Sequence, residues 1–207
     1  MLRILGRITS INARKVLWAA DEMGLAYEHE VWGRPHRDPK VPEFLKMNPN
    51  GLVPVIIDDG FVLWESNAIL RYLADKTGSD LLPADARERA VVDQWLTWMV
   101  SELNPSWAYI VPAKLRGDPP NPDPDRLAEA AAKWTKAMGI LEGHLARTNG
   151  HVANGRFSLA DIAIGLAAHR WESVAFEDKP DLVAVGAYYD GMRSRPAAAK
   201  YLSAATP

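Results

Sequence analysis

Apolar residues near the start of the chain change from strand-like to helix-like spacing and back again. Leu2–Leu5 and Tyr27–Val31 are short runs with the pattern of β-strands. Between them, Asn12–Met23 carries apolar residues at helical spacing and is followed by Gly24, a residue that favours helix ends. This order predicts a βαβ unit.

A second group of elements follows a loop rich in proline and charge. The pattern predicts a short helix at Pro42–Met47 and strands at Val53–Ile57 and Phe61–Leu63. The two strands flank Asp58-Asp59-Gly60, a sequence typical of a hairpin turn. A helix predicted at Ser66–Asp75 completes the order βαβ, α, ββα.

The remainder of the chain has helical patterns only. Arg87 to about Arg116 predicts a long helix disturbed at Pro105 and Pro112, and a new helical stripe begins near Arg126. Shorter helices are predicted at Leu159–Ala168, Leu182–Met192 and Ala197–Leu202.

The change of pattern predicts two domains. We expect an α/β domain at residues 1–78, a linker at 79–86 that follows Gly78 and contains Pro83, and an all-α helical bundle at 87–207. With 207 residues, of which 48% are hydrophobic, the chain is long enough for both cores.

Composition removes several classes of function. A net charge of −2 gives no broad electrostatic reason to bind nucleic acid or an anionic membrane. The N-terminal apolar run is broken by Arg3 and Arg7, and no stretch is long enough to cross a bilayer, so we expect a cytoplasmic protein. The chain has no cysteine, and its histidines lack metal-ligand spacing, so neither a protein thiol nor a metal site is expected.

Two motifs have the residue types of helix N-terminal caps. Ser158 and Asp161 have the spacing of a capping box, which we interpret as structural rather than catalytic. Thr9, Ser10 and Asn12 place two hydroxyls and an amide where the first helix begins, and a helix cap is one interpretation of them.

The segment from Val53 to Ser66 has the residues needed to hold a short peptide. Pro54 interrupts a strand pattern, which leaves the backbone groups of Val53 available for pairing with an extended ligand. Ser66 and the first amides of its helix suit a carboxylate, and Glu65 suits an ammonium group. The alternative is that Ser66 only caps its helix, Glu65 is solvated and Pro54 ends a strand.

The complete pattern resembles the glutathione transferase superfamily, in which a thioredoxin-like domain precedes an all-α domain. The most specific features are Leu52-Val53-Pro54, the segment Glu65–Leu70 and the Ser158–Asp161 box. The resemblance implies a cis bond before Pro54, pairing of Val53 with the cysteinyl backbone of glutathione, and binding of the γ-glutamyl group by Glu65 and Ser66. It also implies a homodimer.

The resemblance suggests that the reactive thiol belongs to glutathione, because the cysteine pair of thioredoxin relatives is replaced here by Thr9, Ser10 and Asn12. A free thiol has a pKa of about 8.5, and hydroxyl or amide donors at a helix N-terminus favour its thiolate. Similarity to serine-type and Asn-containing bacterial branches, with a basic residue matching Lys15, ranks Ser10 first, Asn12 second and Thr9 third.

These features predict an enzyme that transfers glutathione to a small hydrophobic electrophile, with Trp107 and Tyr109 as candidate substrate contacts. The alternatives are a glutathione-dependent disulfide reductase or peroxidase, an isomerase or dehalogenase, and a non-catalytic binding or assembly module. Non-catalytic relatives often lose the first-turn hydroxyl or the Glu-Ser pair, and both features are present here.

Overall fold

The computed structural model of the chain describes residues 1–148 and 150–203. These residues form two compact units. The first contains Met1–Pro83 together with the described residues from Pro196 onward, and the second contains Ala84–Arg195. The C-terminal segment therefore packs with the first unit, although the sequence pattern grouped it with the helical bundle.

The first unit is built on a four-stranded mixed sheet in the order β2-β1-β3-β4. Its strands are β1 (Leu2–Leu5), β2 (Tyr27–Glu30), β3 (Val55–Asp58) and β4 (Phe61–Trp64). Strands β1 and β2 are parallel, and the two other pairs are antiparallel. The predicted hairpin is confirmed, since Asp58 pairs with Phe61 across a two-residue turn. Asp59 and Gly60, the turn residues, both have positive φ.

Three α-helices complete the sequence order of this unit: α1 (Ile11–Glu22), α2 (Pro42–Leu45) and α3 (Ser66–Thr77). Helix α1 is buried along most of its length, including Arg14 and Lys15, two charged residues. Helix α3 ends at Gly78, whose left-handed conformation suits glycine. The order β1-α1-β2-α2-β3-β4-α3 confirms the predicted thioredoxin-like fold.

The C-terminal segment is held against α1 by polar and aromatic contacts. Pro196–Ala198 forms one 3₁₀ turn, so the helix predicted at Ala197–Leu202 is wrong. The Tyr201 ring stacks on Trp18, and its hydroxyl donates to the Asp21 carboxylate at 2.6 Å. Tyr27 Oη donates to the other Asp21 oxygen at 2.8 Å, so this acid joins β2, α1 and the C-terminal segment.

The second unit is helical throughout the part of the chain that the structure describes. It contains α4 (Ala86–Trp98), α5 (Asn104–Ser106), α6 (Ile110–Arg116), α7 (Pro124–Leu145), α8 (Leu159–Ser173) and α9 (Val183–Arg193). A π-helical segment, Met99–Leu103, joins α4 to α5. The expected long helix is therefore interrupted at 99–103 and at 107–109, and not at its two prolines.

Helix α8 is the buried centre of this unit, with thirteen of its residues in the interior. Its predicted capping box is confirmed, because the Ser158 amide donates to Asp161 Oδ2 at 3.0 Å. Asp161 Oδ1 also accepts from the Val152 amide at 2.9 Å and from Tyr188 Oη at 3.2 Å. Among the described residues, no helix is long and apolar enough to span a membrane.

Candidate glutathione site

The loop between β1 and α1 presents the predicted hydroxyls at a helix start. Ser10 is the N-cap of α1, and its Oγ accepts from the Ala13 amide at a long 3.4 Å. A hydroxyl that accepts here keeps its own proton for donation to another group. Thr9 is exposed, whereas Ser10 is half-buried.

The buried side chain of Arg14 holds the backbone of this loop by hydrogen bonds. Its Nε donates to the carbonyl oxygen of Ile8 at 2.9 Å, and its Nη1 donates to the carbonyl oxygen of Tyr201 at 3.2 Å. Burial lowers the pKa of Arg14 to about 10, so the guanidinium stays charged at neutral pH. The C-terminal segment and the Ser10 loop therefore share one positively charged anchor.

Val53 lies beside the start of α1. A Cβ atom added to Gly6 would meet the Ala13 Cβ at 2.6 Å and the Val53 Cβ at 3.5 Å, so the absence of a side chain at residue 6 permits this close approach. The Val53–Pro54 bond is cis, as the resemblance implied, and β3 begins only at Val55. Within the described part of the chain, no backbone hydrogen bond of Val53 is formed.

The loop that leads to Val53 is fixed by a buried amide. Asn48 Nδ2 donates to the Leu52 carbonyl oxygen at 2.8 Å, and Asn48 Oδ1 accepts from the Asn50 amide at 3.1 Å. Lys40 Nζ adds a bond of 2.7 Å to the Asn50 carbonyl oxygen. The backbone before the cis bond is therefore held in place by side chains from outside the sheet.

Glu65 and Ser66 lie at the start of α3, but Ser66 does not cap it. Glu65 is the N-cap residue, with φ +72°, and Ser66 is the first helical residue. The Ser66 hydroxyl points instead towards Asn12, with 3.5 Å between Ser66 Oγ and Asn12 Oδ1. The capping alternative is therefore wrong for Ser66, whose hydroxyl lies between the N-termini of α1 and α3.

A buried lysine lies next to this pair, and no sequence pattern predicted its burial. Lys15 is 0% exposed, and its Nζ donates to Asn67 Oδ1 at 2.7 Å. Burial lowers its pKa to about 7, the Glu65 carboxylate opposes this change, and Arg71 adds to it. Lysine on a helix is ordinarily solvated. In the structure, however, every residue from Ala13 to Ala20 is buried, and Lys15 lies within this segment.

The two candidate substrate contacts, Trp107 and Tyr109, lie in the second unit, where their side chains contact other residues of that unit. Trp107 is 5% exposed, and its ring packs edge-on against Trp134 and under the Arg170 guanidinium. Tyr109 Oη accepts from the Asp123 amide at 2.9 Å, and Arg126 lies over its ring. These contacts favour a structural role for both residues. Among the described residues, no cluster of three metal-ligating side chains is present.

Comparisons with known proteins identify the class to which this fold and site belong. Residues 9–76 match the family model described as the glutathione S-transferase N-terminal domain. The chain is 32% identical to glutathione S-transferase GstB of Escherichia coli K12, with 97% of each sequence covered. The chain therefore belongs to the glutathione S-transferase family and is a transferase that uses glutathione.

Solved structures of glutathione S-transferases are similar to this chain along almost its whole length. A theta class glutathione S-transferase from Xanthomonas axonopodis pv. citri, crystallised with glutathione bound, is 33% identical with a TM-score of 0.91. The alignment covers 97% of this chain and 96% of that one. A glutathione S-transferase from Pseudomonas fluorescens is 30% identical with a TM-score of 0.82, and the alignment covers 95% and 96% of the two chains.

Proposed function

We propose that the protein binds glutathione across the first unit, stabilises its thiolate beside Ser10, and transfers it to a hydrophobic electrophile. Val53 pairs with the cysteinyl backbone, while Glu65 and Ser66 hold the γ-glutamyl group. The observation that carries this proposal is the close approach of three segments. Gly6 brings Val53 beside the start of α1, and the Asn12–Ser66 contact brings the start of α3 to the same place.

The start of α1 has the groups needed to favour a thiolate. Ser10 accepts from the helix through its oxygen, which leaves its proton to donate to sulfur. The twelve residues of α1 add the positive end of a helix dipole. A thiol pKa lowered by two units requires about 2.7 kcal/mol, which one charge-assisted hydrogen bond and a helix terminus can supply.

Asn12 and Thr9 fit lesser roles. The Asn12 side-chain oxygen lies near the Ser66 hydroxyl, so its amide group links the γ-glutamyl end to the thiol end of the site. Thr9 is exposed, and a hydroxyl surrounded by water stabilises a thiolate less than a half-buried one.

The reaction requires no group on the protein to change its covalent state. The bound thiolate attacks an electrophilic carbon, a C–S bond forms, and the electron pair leaves with the departing group or moves into the acceptor. Because the chain has no cysteine, a mixed disulfide with the protein itself is not a step. We further propose that the protein forms a homodimer, as the resemblance to the family implied.

Three variants distinguish two roles of Ser10, as hydrogen-bond donor to the thiolate and as helix cap. The measurement is turnover of a chlorodinitrobenzene with glutathione. Ser10→Thr keeps both functions and should retain most activity. Ser10→Ala removes both, and Ser10→Asp keeps the cap but cannot donate to a thiolate. We expect both to lower kcat/KM about 100-fold, while Asn12→Ala loses less and Thr9→Ala stays near wild type.

Two outcomes would contradict this assignment. If Ser10→Asp is as active as wild type, Ser10 is a cap and not the thiol partner. If the wild-type protein turns over hydroperoxides or disulfides with glutathione but no carbon electrophile, its function is that of a peroxidase or disulfide reductase instead.

A further inference from the structure

Lys15 is a buried amine that forms no ion pair with the residues that the structure describes. Its ammonium is 0% exposed and donates to one neutral acceptor, Asn67 Oδ1. Glu65 is close enough to raise its pKa, but no described carboxylate forms an ion pair with Lys15. A buried charge is costly unless an opposite charge compensates it.

The missing anion corresponds to a group of the proposed ligand. Asn67, the acceptor of Lys15, directly follows Ser66 in the first turn of α3. This helix start is the place where the γ-glutamyl carboxylate binds in our proposal, since its amides and the Ser66 hydroxyl suit an anion. In our proposal, the carboxylate therefore binds beside Ser66, one residue before the Asn67 acceptor of the Lys15 amine.

We propose that Lys15 compensates the charge of the ligand carboxylate, and that it takes up a proton from solvent when glutathione binds. This inference rests on the proposed function. Burial lowers the pKa of Lys15 to about 7, so near neutral pH much of the free protein carries a neutral amine. An added negative charge favours the ammonium and raises that pKa.

The charged groups around Lys15 define the pH range of this coupling. Glu65, before α3, favours the ammonium, and Arg71, on α3, disfavours it. Below pH 6, Lys15 is protonated with or without ligand, so affinity is independent of pH there. Above the free pKa, binding must add a proton, and affinity falls as pH rises.

The test uses S-methylglutathione, which has the γ-glutamyl carboxylate but no thiol to release a proton. Calorimetric titration at pH 7.5 in buffers with different ionisation enthalpies measures the protons exchanged. We expect the wild-type protein to take up about half a proton or more per ligand, and its affinity to fall about tenfold from pH 6 to pH 8.

Variants of Lys15 test whether this residue is the one that takes up the proton. Lys15→Met should bind more weakly and without uptake, whereas Lys15→Arg, which stays charged, should bind without uptake and with little pH dependence. Lys114→Met, at an exposed lysine of α6, should behave as wild type. Binding without proton uptake by the wild type, or equal uptake by Lys15→Met, would overturn this inference alone. No binding of S-methylglutathione would overturn the proposed function as well.

Discussion

Glu65 and Ser66 are neighbours in the chain, but their side chains lie in different environments. Ser66 is 7% exposed and its hydroxyl lies towards Asn12, whereas Glu65 is exposed and has a positive φ. The pair therefore offers a buried donor for a carboxylate beside a solvated acid for an ammonium group. The two side chains together suit a zwitterionic amino acid end.

Removing either side chain should weaken glutathione binding. We expect Glu65→Ala and Ser66→Ala each to raise the Kd about 10- to 100-fold, because each loses a hydrogen bond to a charged group. Isothermal titration calorimetry with glutathione measures the effect. Glu28→Ala, at an exposed acid of β2, is the control and should bind like wild type. Unchanged affinity in Glu65→Ala would exclude its role.

At this scale the sequence predicted residue types better than their environments. The spacing placed Ser10 and Ser66 at helix starts, and both lie there. It could not tell that Ser10 caps its helix and Ser66 does not, because that depends on how α1 and α3 approach each other. The burial of Lys15 was hidden for the same reason.

The start of α8 carries a set of buried polar contacts centred on Asp161. Asp161 is 0% exposed and accepts hydrogen bonds from backbone amides and from Tyr188. Burial and the neighbouring Asp161 carboxylate raise the pKa of Tyr188 well above its usual value, so this hydroxyl remains a donor. These contacts join α8 to the loop before it and to α9.

Loss of the Asp161 carboxylate should destabilise the fold without affecting the ligand site. We expect Asp161→Ala to lower the free energy of unfolding by about 3 kcal/mol, since buried donors lose their acceptor. Asp123→Ala removes an exposed capping carboxylate, the N-cap of α7, and should cost about 1 kcal/mol. Urea unfolding measures both values. Equal losses in the two variants would contradict the importance of burial.

Proline positions explain why the sequence misplaced the breaks in the long helix. Pro105 and Pro112 lie in the first turns of α5 and α6, where the missing N–H has no acceptor to lose. The prolines therefore begin helical segments, while the interruptions fall before them. Periodicity detects a helix, but it does not locate a change of hydrogen-bond pattern such as that at 99–103.

At the scale of the whole molecule, the second unit has a groove of about 330 Å³ lined by Trp98, Ala137 and Ile140. Ile140 is 53% exposed and lies beside the Trp98 side chain in this groove. Glu102 and Lys136 line the same groove with opposite charges. A second copy of the chain, related by a twofold axis, could cover the groove and pair these charges.

This surface gives a test of the proposed homodimer. Light scattering should give twice the mass of the chain for the wild type, and Ile140→Glu should shift the protein towards the monomer. Val183→Glu, at an apolar residue that is 71% exposed on α9, should leave the mass unchanged. A wild-type monomer at micromolar concentration would contradict the homodimer.

The order of elements and the family were predictable from sequence, because hydrophobic spacing and the Val53-Pro54 and Glu65-Ser66 motifs depend on nearby residues. The C-terminal segment was not, since its place against α1 depends on Arg14 and Asp21, which are far from it in the chain. The role of Trp107 was not predictable either, because an aromatic residue has the same sequence pattern whether it faces a substrate or Trp134.

Whether the protein holds glutathione as a thiolate is measured by the ultraviolet absorbance of the bound thiolate as a function of pH. With the wild-type protein saturated by glutathione, we predict a midpoint about two pH units below that of the free thiol, which ionises near pH 8.5. Ser10→Ala should return the midpoint most of the way. A wild-type midpoint equal to that of free glutathione would contradict the account.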